Sequence, residues 1–511
     1  MSSYKTISNV LVVAGCGVVF AGAVHDARGQ CLAHEHAKLS AADGGNFFDS
    51  VAISGDLAVV GGSTFDRLGE SAGAAFVLRF NGNDWIPEAT LTASYPSPFD
   101  SFGRSVAVSG DVVLVGRETD YGEGANSGSA YVYRLDAENS EWIEEALLTA
   151  SDAQVGDFFG VSVAISGDVV LIGATWADDA GLNSGAAYVL RYDGTNWIEE
   201  AKLTASDAAA SDDFGDPVAV SAAGDVVVVG ATGAGGGAAY VYRNNGIRWI
   251  EEAKLVASDG AGPFDRFGAA VTISGDVVMV GSSGDTDSCP PDTPYGECGS
   301  VYVFRLDSGE WIEEAKLTAA EPTPIAHFGS SVSLSGDLAL IGTPHDQADE
   351  PFLGSTYIFR FDSGQWLEQA KLTASDAVPF GEFGESVAIS GDLALIAAGP
   401  PDNGNLQVGA AYVFVGLSDC NGNVTLDLCD IADGTSQDDN GNGIPDECDP
   451  CEGDANGDGL VDPLDGGFVL ARFGCEVGAG DPDCDSADQN GDGLVDPLDV
   501  GFVLARFGPC T

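Results

Sequence analysis

The sequence predicts an all-β fold, a seven-bladed β-propeller closed by a strand from its N-terminal side, followed by a small α-helical C-terminal domain. Three observations carry this prediction. A phrase of the form Phe-Gly-x-Ser-Val-Ala-Ile-Ser-Gly-Asp recurs with its Gly-Asp step at Gly55, Gly110, Gly167, Gly224, Gly275, Gly336 and Gly391, seven copies 51 to 61 residues apart. A tryptophan opens the last apolar run of six copies, at Trp85, Trp142, Trp197, Trp249, Trp311 and Trp366, whereas the seventh copy stops short at Gly416. The decapeptide NGDGLVDPLD is spelled twice in the tail, at 456–465 and 490–499, and each copy runs on into GFVLARFG.

Each copy reads as four strands. SVAIS and VVLIG flank Gly167-Asp168, a tight-turn dipeptide between β-branched runs, and so predict a buried hairpin. A polar loop of variable length leads to a third run, GAAYVLRY at 185–192; the turn DGTN then leads to a fourth, WIEEAKLTA at 197–205. Four strands in about 55 residues make one propeller blade, a small sheet that buries both faces against its neighbours. The strand missing from the seventh copy lies upstream. His34-Glu35-His36-Ala37-Lys38-Leu39 aligns with Ile-Glu-Glu-Ala-Lys-Leu of the other copies, so residues near 34–42 would close the last blade. Closure removes the open edges that invite aggregation.

The chain of 511 residues exceeds one core and suits two or three domains. Its 79 acidic against 20 basic residues give a net charge of −59, which repels nucleic-acid backbones and anionic lipid and favours divalent cations. At the N-terminus, Lys5, the apolar run 10–24 and the small-x-small step Ala21-Gly22-Ala23 read as a signal peptide over 1–23. Val13-Ala14-Gly15-Cys16 offers a lipoprotein alternative; both place the mature chain outside the cytoplasm, secreted or at the cell surface, without a transmembrane span. Cleavage after Ala23 leaves ten cysteines, an even number that suits disulfides in an exported protein, and Cys289 with Cys298 closes the simplest loop. Cys448 and Cys451 form the only C-x-x-C, with no histidine near it.

No catalytic motif is present. His25, His34, His36, His327 and His345 are scattered, and Gly-x-Ser-x-Gly, His-Glu-x-x-His and phosphate-loop patterns are absent. The Glu-Glu of WIEEAKL reads as a solvated strand face, and the tryptophans as packing between blades, with a sugar-stacking platform as the sharper alternative. Unequal loops on one rim, above all 282–299, are the expected binding surface.

The Phe-Gly opening and the later Gly-x-Pro, as in Phe328-Gly329 with Gly342-Thr343-Pro344, resemble the FG-GAP repeat of integrin-α-type propellers over 35–416. The resemblance implies a propeller of the kind that serves adhesion or ligand binding, many carrying calcium on Asp-x-Asp-x-Asp-Gly loops. Here the corresponding loops, TWADDAGLNS, TGAGGG and TPHDQADEPFL, lack that spacing, so blade calcium is not expected.

The tail is where calcium is expected. Asp454, Asn456, Asp458, Asp462 and Asp465 place oxygen side chains at loop positions 1, 3, 5, 9 and 12, with Gly459 at 6 and the Leu460 carbonyl at 7. Asp488, Asn490, Asp492, Asp496 and Asp499, with the Leu494 carbonyl, repeat the pattern, and hard oxygen ligands at this spacing favour Ca2+. Each loop runs into a short helix with Pro near its start and Gly at its stop. A loop followed by one helix, twice, resembles the type I dockerin over 452–509. That implies two calcium ions and docking onto a cohesin-type scaffold or cell-surface protein; Pro463-Leu464 and Pro497-Leu498 stand where cohesin contacts are expected. Between propeller and tail, Asp438, Asn440, Asn442, Asp446 and Asp449, with the Ile444 carbonyl, resemble a thrombospondin type 3 repeat, and a weaker copy starts at Asp419.

The domain plan is thus 1–23 signal peptide, 35–416 propeller, 417–450 calcium linker and 451–511 dockerin-like domain. The leading functional expectation is a secreted, calcium-binding, non-catalytic binding or adhesion protein. Its rim would present a glycan or protein ligand site and its tail would attach it. The alternatives are a polysaccharide-degrading enzyme, hydrolase or lyase, with an unrecognised carboxylate site, and a purely structural surface component.

Overall fold

The structure, a computed structural model, describes residues 10–13, 35–41 and 49–417 apart from the loop stretches 64–71, 82–83, 98–99, 120–126, 138, 261, 263, 291–295, 348–351 and 400–408, together with Ser436, 460–461 and 508–509. The chain divides into two compact units, Met1–Leu417 and Ser418–Thr511.

Seven antiparallel sheets make the first unit, six of four strands in simple meander order and one completed from the other end of the chain. In blade 3 the strands are Phe159–Ser166, Val169–Ala174, Ala186–Tyr192 and Trp197–Leu203. Gly167 takes φ +57° in the first turn, as a two-residue hairpin of primed type requires. Blade 7 supplies three strands, Val387–Ser390, Leu393–Ala398 and Ala410–Phe414. Its fourth is Ala37–Ala41, antiparallel to the third with Leu39 opposite Ala411. The expected closure by residues near 34–42 is therefore observed. Val10–Val13 pairs in turn along Ala37–Ala41 as a fifth strand.

There is no single core. Buried side chains gather at the blade interfaces, and the one joining blade 7 to blade 1 contains Leu39, Val51, Val60, Trp85, Leu395 and Val413. The second strand of blade 3 is buried at every residue, because it has a sheet on each face. Outer strands carry a β-bulge in each of blades 1 to 6, for instance between Val189 and Leu190 in the register of blade 3. Bulges and alternating charge blunt these exposed edges.

The Phe-Gly step is the wedge between blades. Phe214 of blade 4 is fully buried and forms a parallel bridge to Gly185, which precedes the third strand of blade 3. A Cβ on Gly185 would lie 1.9 Å from the Phe214 carbonyl oxygen, and one on Gly173 would lie 1.7 Å from that of Gly215. Only glycine admits so close a backbone approach.

The serines of SVAIS act as a zipper around the axis. Val106 N–H donates to Ser50 Oγ at 3.2 Å, Val218 N–H to Ser162 Oγ at 3.1 Å, and across the closure Val51 N–H to Ser386 Oγ at 3.1 Å. A second ring runs below it, with Gly110, Gly167 and Gly55 N–H donating to Ser54, Ser109 and Ser390 Oγ.

WIEEAKL is not an idle solvated face. Its first glutamate accepts from the preceding blade: Ser151 N–H and Oγ donate to Glu199 at 3.0 and 2.8 Å, and Ser206 does the same to Glu251. The second glutamate, Glu200, meets Arg191, which also reaches Asp168 of the Gly-Asp turn. The lysine, Lys202, pairs with Asp152 of the preceding blade at 2.6 Å, and Tyr188 OH donates to the same carboxylate. At the closure Glu35 accepts from Ser375 N–H, Lys38 pairs with Asp376, and His36 packs edge-on against Phe80. The upstream strand thus reproduces the first-glutamate and lysine latches, while His36 replaces the second glutamate. Trp142 and Trp311 also bridge blades, donating to Glu88 and Glu252.

Blade 2 departs from this scheme twice, with Leu147 in place of the lysine and Tyr95 in place of the aspartate. Arg117 takes over: it pairs with Asp100 in the buried interior and donates to Tyr131 OH at 3.0 Å.

Candidate ligand-binding rim

The residue before each Phe-Gly turns the chain from the surface into the inner strand. It does so in the left-handed region: Ser101, Phe158, Asp213, Arg266, His327 and Glu382 have φ between 48° and 58°. In five of these turns the residue's carbonyl accepts from the N–H three residues on, as Val161 donates to Phe158 at 3.2 Å. A side chain in this conformation costs about 1 kcal/mol relative to glycine, so glycine would be the relaxed choice at every one. Instead the six side chains are hydroxyl, aromatic, acidic, basic, imidazole and acidic.

Several face a residue just past the second strand. Thr119 Oγ1 donates to Ser101 Oγ at 3.2 Å. Phe158 and Trp176 meet perpendicularly with centroids 4.5 Å apart, leaving the indole 46% exposed, and Val155 and Leu182 in flanking loops are exposed as well. The rings of His327 and His345 pack on each other, centroids 4.6 Å apart and planes tilted by 43°. Each imidazole meets a glutamate, Glu297 at 2.9 Å from His327 Nε2 and Glu382 at 3.5 Å from His345 Nε2.

Three of the residues one past the Phe-Gly carry charges that interact with one another. Arg104, Asp216 and Glu385, from blades 2, 4 and 7, interact across the axis, and Arg104 pairs with Glu118 at 3.5 Å. Burial among the blades pushes Asp216 up to about 6 against the pull of Arg104, with Glu118 and Asp213 adding to the rise. Burial raises Glu118 and Glu385 as well. Asp216 is nonetheless exposed, and solvent screening discounts the energetic consequence.

The model of the FG-GAP repeat family matches residues 85–133, 142–190, 197–242, 249–304, 311–359 and 366–414, more than half of the chain. This chain belongs to the FG-GAP repeat family. It is also similar to human integrin alpha-D, 29% identical over 139 residues, a stretch covering 24% of this chain and 12% of that protein. The chain thus spans about an eighth of the length of that relative.

FG-GAP propellers of integrin type imply metal on the loop between second and third strands, and three described loop carboxylates do not fit it. The loop carboxylates Asp179, Asp285 and Asp346 are each neutralised by a lysine ammonium, from Lys202, Lys316 and Lys371. Among the described residues no cluster of three or more His, Cys, Asp or Glu side chains is arranged to hold a metal ion.

Of the tail residues expected to bind calcium, Leu460 lies on a two-residue strand, Leu460–Val461, that pairs with Gly508–Pro509. The others, Asp438 through Asp449, Asp454 through Asp465 and Asp488 through Asp499, lie outside the described residues. The expected 282–299 loop is bridged by Cys289–Cys298 and delivers Glu297 to His327. His327 and His345, scattered in sequence, come together in this FG-GAP rim. The left-handed residues escaped sequence reasoning, although aligning the copies shows them: amid a constant Phe-Gly, the preceding residue changes every time.

Proposed function

We propose that this is a secreted, non-catalytic binding or adhesion protein whose propeller rim holds a protein or glycan ligand. The observation that carries it is the set of six side chains, of five chemical kinds, held in a strained conformation at one repeated position of the rim. The framework residues are consumed by packing and latches, and backbone strain retained against the glycine alternative points to function. The likeness to part of an integrin α chain agrees with an extracellular or surface location.

Attachment falls to the tail in this reading. Asp454, Asn456, Asp458, Leu460, Asp462 and Asp465, and Asp488, Asn490, Asp492, Leu494, Asp496 and Asp499, hold one Ca2+ each. The set from Asp438 to Asp449 stiffens the linker, and the dockerin-like pair engages a cohesin-type partner. Hard carboxylate and carbonyl oxygens at these spacings support the assignment.

The test replaces Ser101, Phe158, Asp213, Arg266, His327 and Glu382 by glycine in the full chain. Wild type is screened on glycan and extracellular-protein arrays. Glycine relaxes the six turns but also removes the side-chain contacts of Phe158, His327 and Glu382, so calorimetry first establishes that the variant is folded; the folded variant is expected to lose the ligand. Undiminished binding overturns the rim assignment, and glycan turnover by the wild type overturns the non-catalytic reading.

A further inference from the structure

The His327–His345 stack joins three blades. His327 N–H donates to the Glu297 carbonyl at 3.2 Å and its ring meets the Glu297 carboxylate, fastening blade 6 to the disulfide-bridged loop of blade 5. His345 N–H donates to the Ala326 carbonyl, its ring packs on Phe352 at 4.9 Å, and its Nε2 faces Glu382 at the start of blade 7. Glu382 N–H closes the circuit on the Phe352 carbonyl, and Phe352 stacks on the exposed Phe380. His327, Phe352, Phe380 and Glu382 all sit at positive φ.

We propose that this histidine stack is an acid-opened fastener: closed with neutral imidazoles, it ties the rim of blades 5, 6 and 7 together, and protonation parts it. Two imidazolium rings cannot share a 4.6 Å stack without repulsion. The groups facing His327 are Glu297, Arg266 and His345; those facing His345 are Glu382, Glu385 and His327. Asp346, next in sequence, is engaged with Lys371 and Ser355. Glu297 pulls His327 toward protonation but stands partly in solvent, which weakens it. Burial acts the other way and, with His345 and Arg266, holds His327 below the ordinary imidazole value. A histidine so depressed contributes stability that is complete above the unfolded value of about 6.5 and is lost as pH falls below it.

Hydrogen exchange of the full chain, corrected for the intrinsic pH effect, tests this at about pH 7.5 and about pH 5.5. Amides in 296–299, 325–330, 344–347 and 380–385 are expected to exchange about tenfold faster at the lower pH, while those around Lys202 and Asp152 do not change. The pair His327→Gln with His345→Gln keeps amide donors for both glutamates and cannot titrate, so its exchange is expected to be flat. Equal or greater protection at low pH in the wild type overturns the proposal, as does an unchanged response in the pair. Should the pair not fold, the wild-type imidazole proton resonances decide: a His327 that titrates like free imidazole overturns it as well.

Discussion

Replacing Leu39 by alanine measures whether the ring is closed by residues from the other end of the chain. Leu39 is 2% exposed and sits in the interface of blades 7 and 1, at the register held by Leu255 in blade 4, also 2% exposed. If Ala37–Ala41 is a full member of its sheet, both truncations create the same kind of cavity and each costs about 2–5 kcal/mol. With an unfolding entropy of about 2.1 cal/mol/K per residue over roughly 380 residues, a loss of about 3 kcal/mol lowers the melting temperature by about 4 °C. The assay is scanning calorimetry of full-length wild type, Leu39→Ala and Leu255→Ala, with denaturant midpoints alongside. A Leu39→Ala loss below about 0.5 kcal/mol beside a normal loss for Leu255→Ala refutes the closure, because a fully buried leucine cannot be that cheap to truncate.

Breaking the buried Arg117–Asp100 pair by Arg117→Ala is expected to cost about 3–5 kcal/mol, far more than Arg191→Ala at its exposed pair, in denaturant unfolding. Acid titration of stability is expected to show two regimes. Against the opposing effect of burial, lysine and tyrosine partners hold Asp152, Asp259 and Asp376 below the ordinary carboxylate value, so their stabilisation is present above about pH 4 and lost as pH falls through their folded values. Asp216, pushed up to about 6, has the opposite sign: its charged form destabilises the ring at neutral pH, so stability rises between about pH 7 and about pH 5, and Asp216→Asn removes that rise. Calorimetric titration of the full chain with Ca2+ is expected to lose one tight site in Asp454→Ala and another in Asp488→Ala; unchanged stoichiometry in both removes the tail assignment.

Much of the fold was legible because a blade is a local object. Gly167-Asp168 between two β-branched runs specifies a hairpin whatever surrounds it, and six tryptophans for seven copies located the missing strand upstream. The latches were not legible. Glu199 and Ser151 stand 48 residues apart, and nothing in WIEEAKL says which of its charges meet a neighbouring blade and which meet water. The exchange in blade 2 was hidden for the same reason: Leu147 and Tyr95 look like two unrelated losses until Arg117 is seen reaching Asp100.

The repeat, the number of blades, the closing strand and its alignment are all readable in the chain, since each follows from periodicity and from counting. What the variable residues do is fixed by packing between blades. Whether His327 and His345 are scattered or stacked, and whether the residue before Phe-Gly is strained, depends on how one blade's turn meets the next blade's strand. Contacts between blades are set by packing across the ring and not by neighbours in the chain, so a period of about 55 residues announces the ring and is silent about its rim.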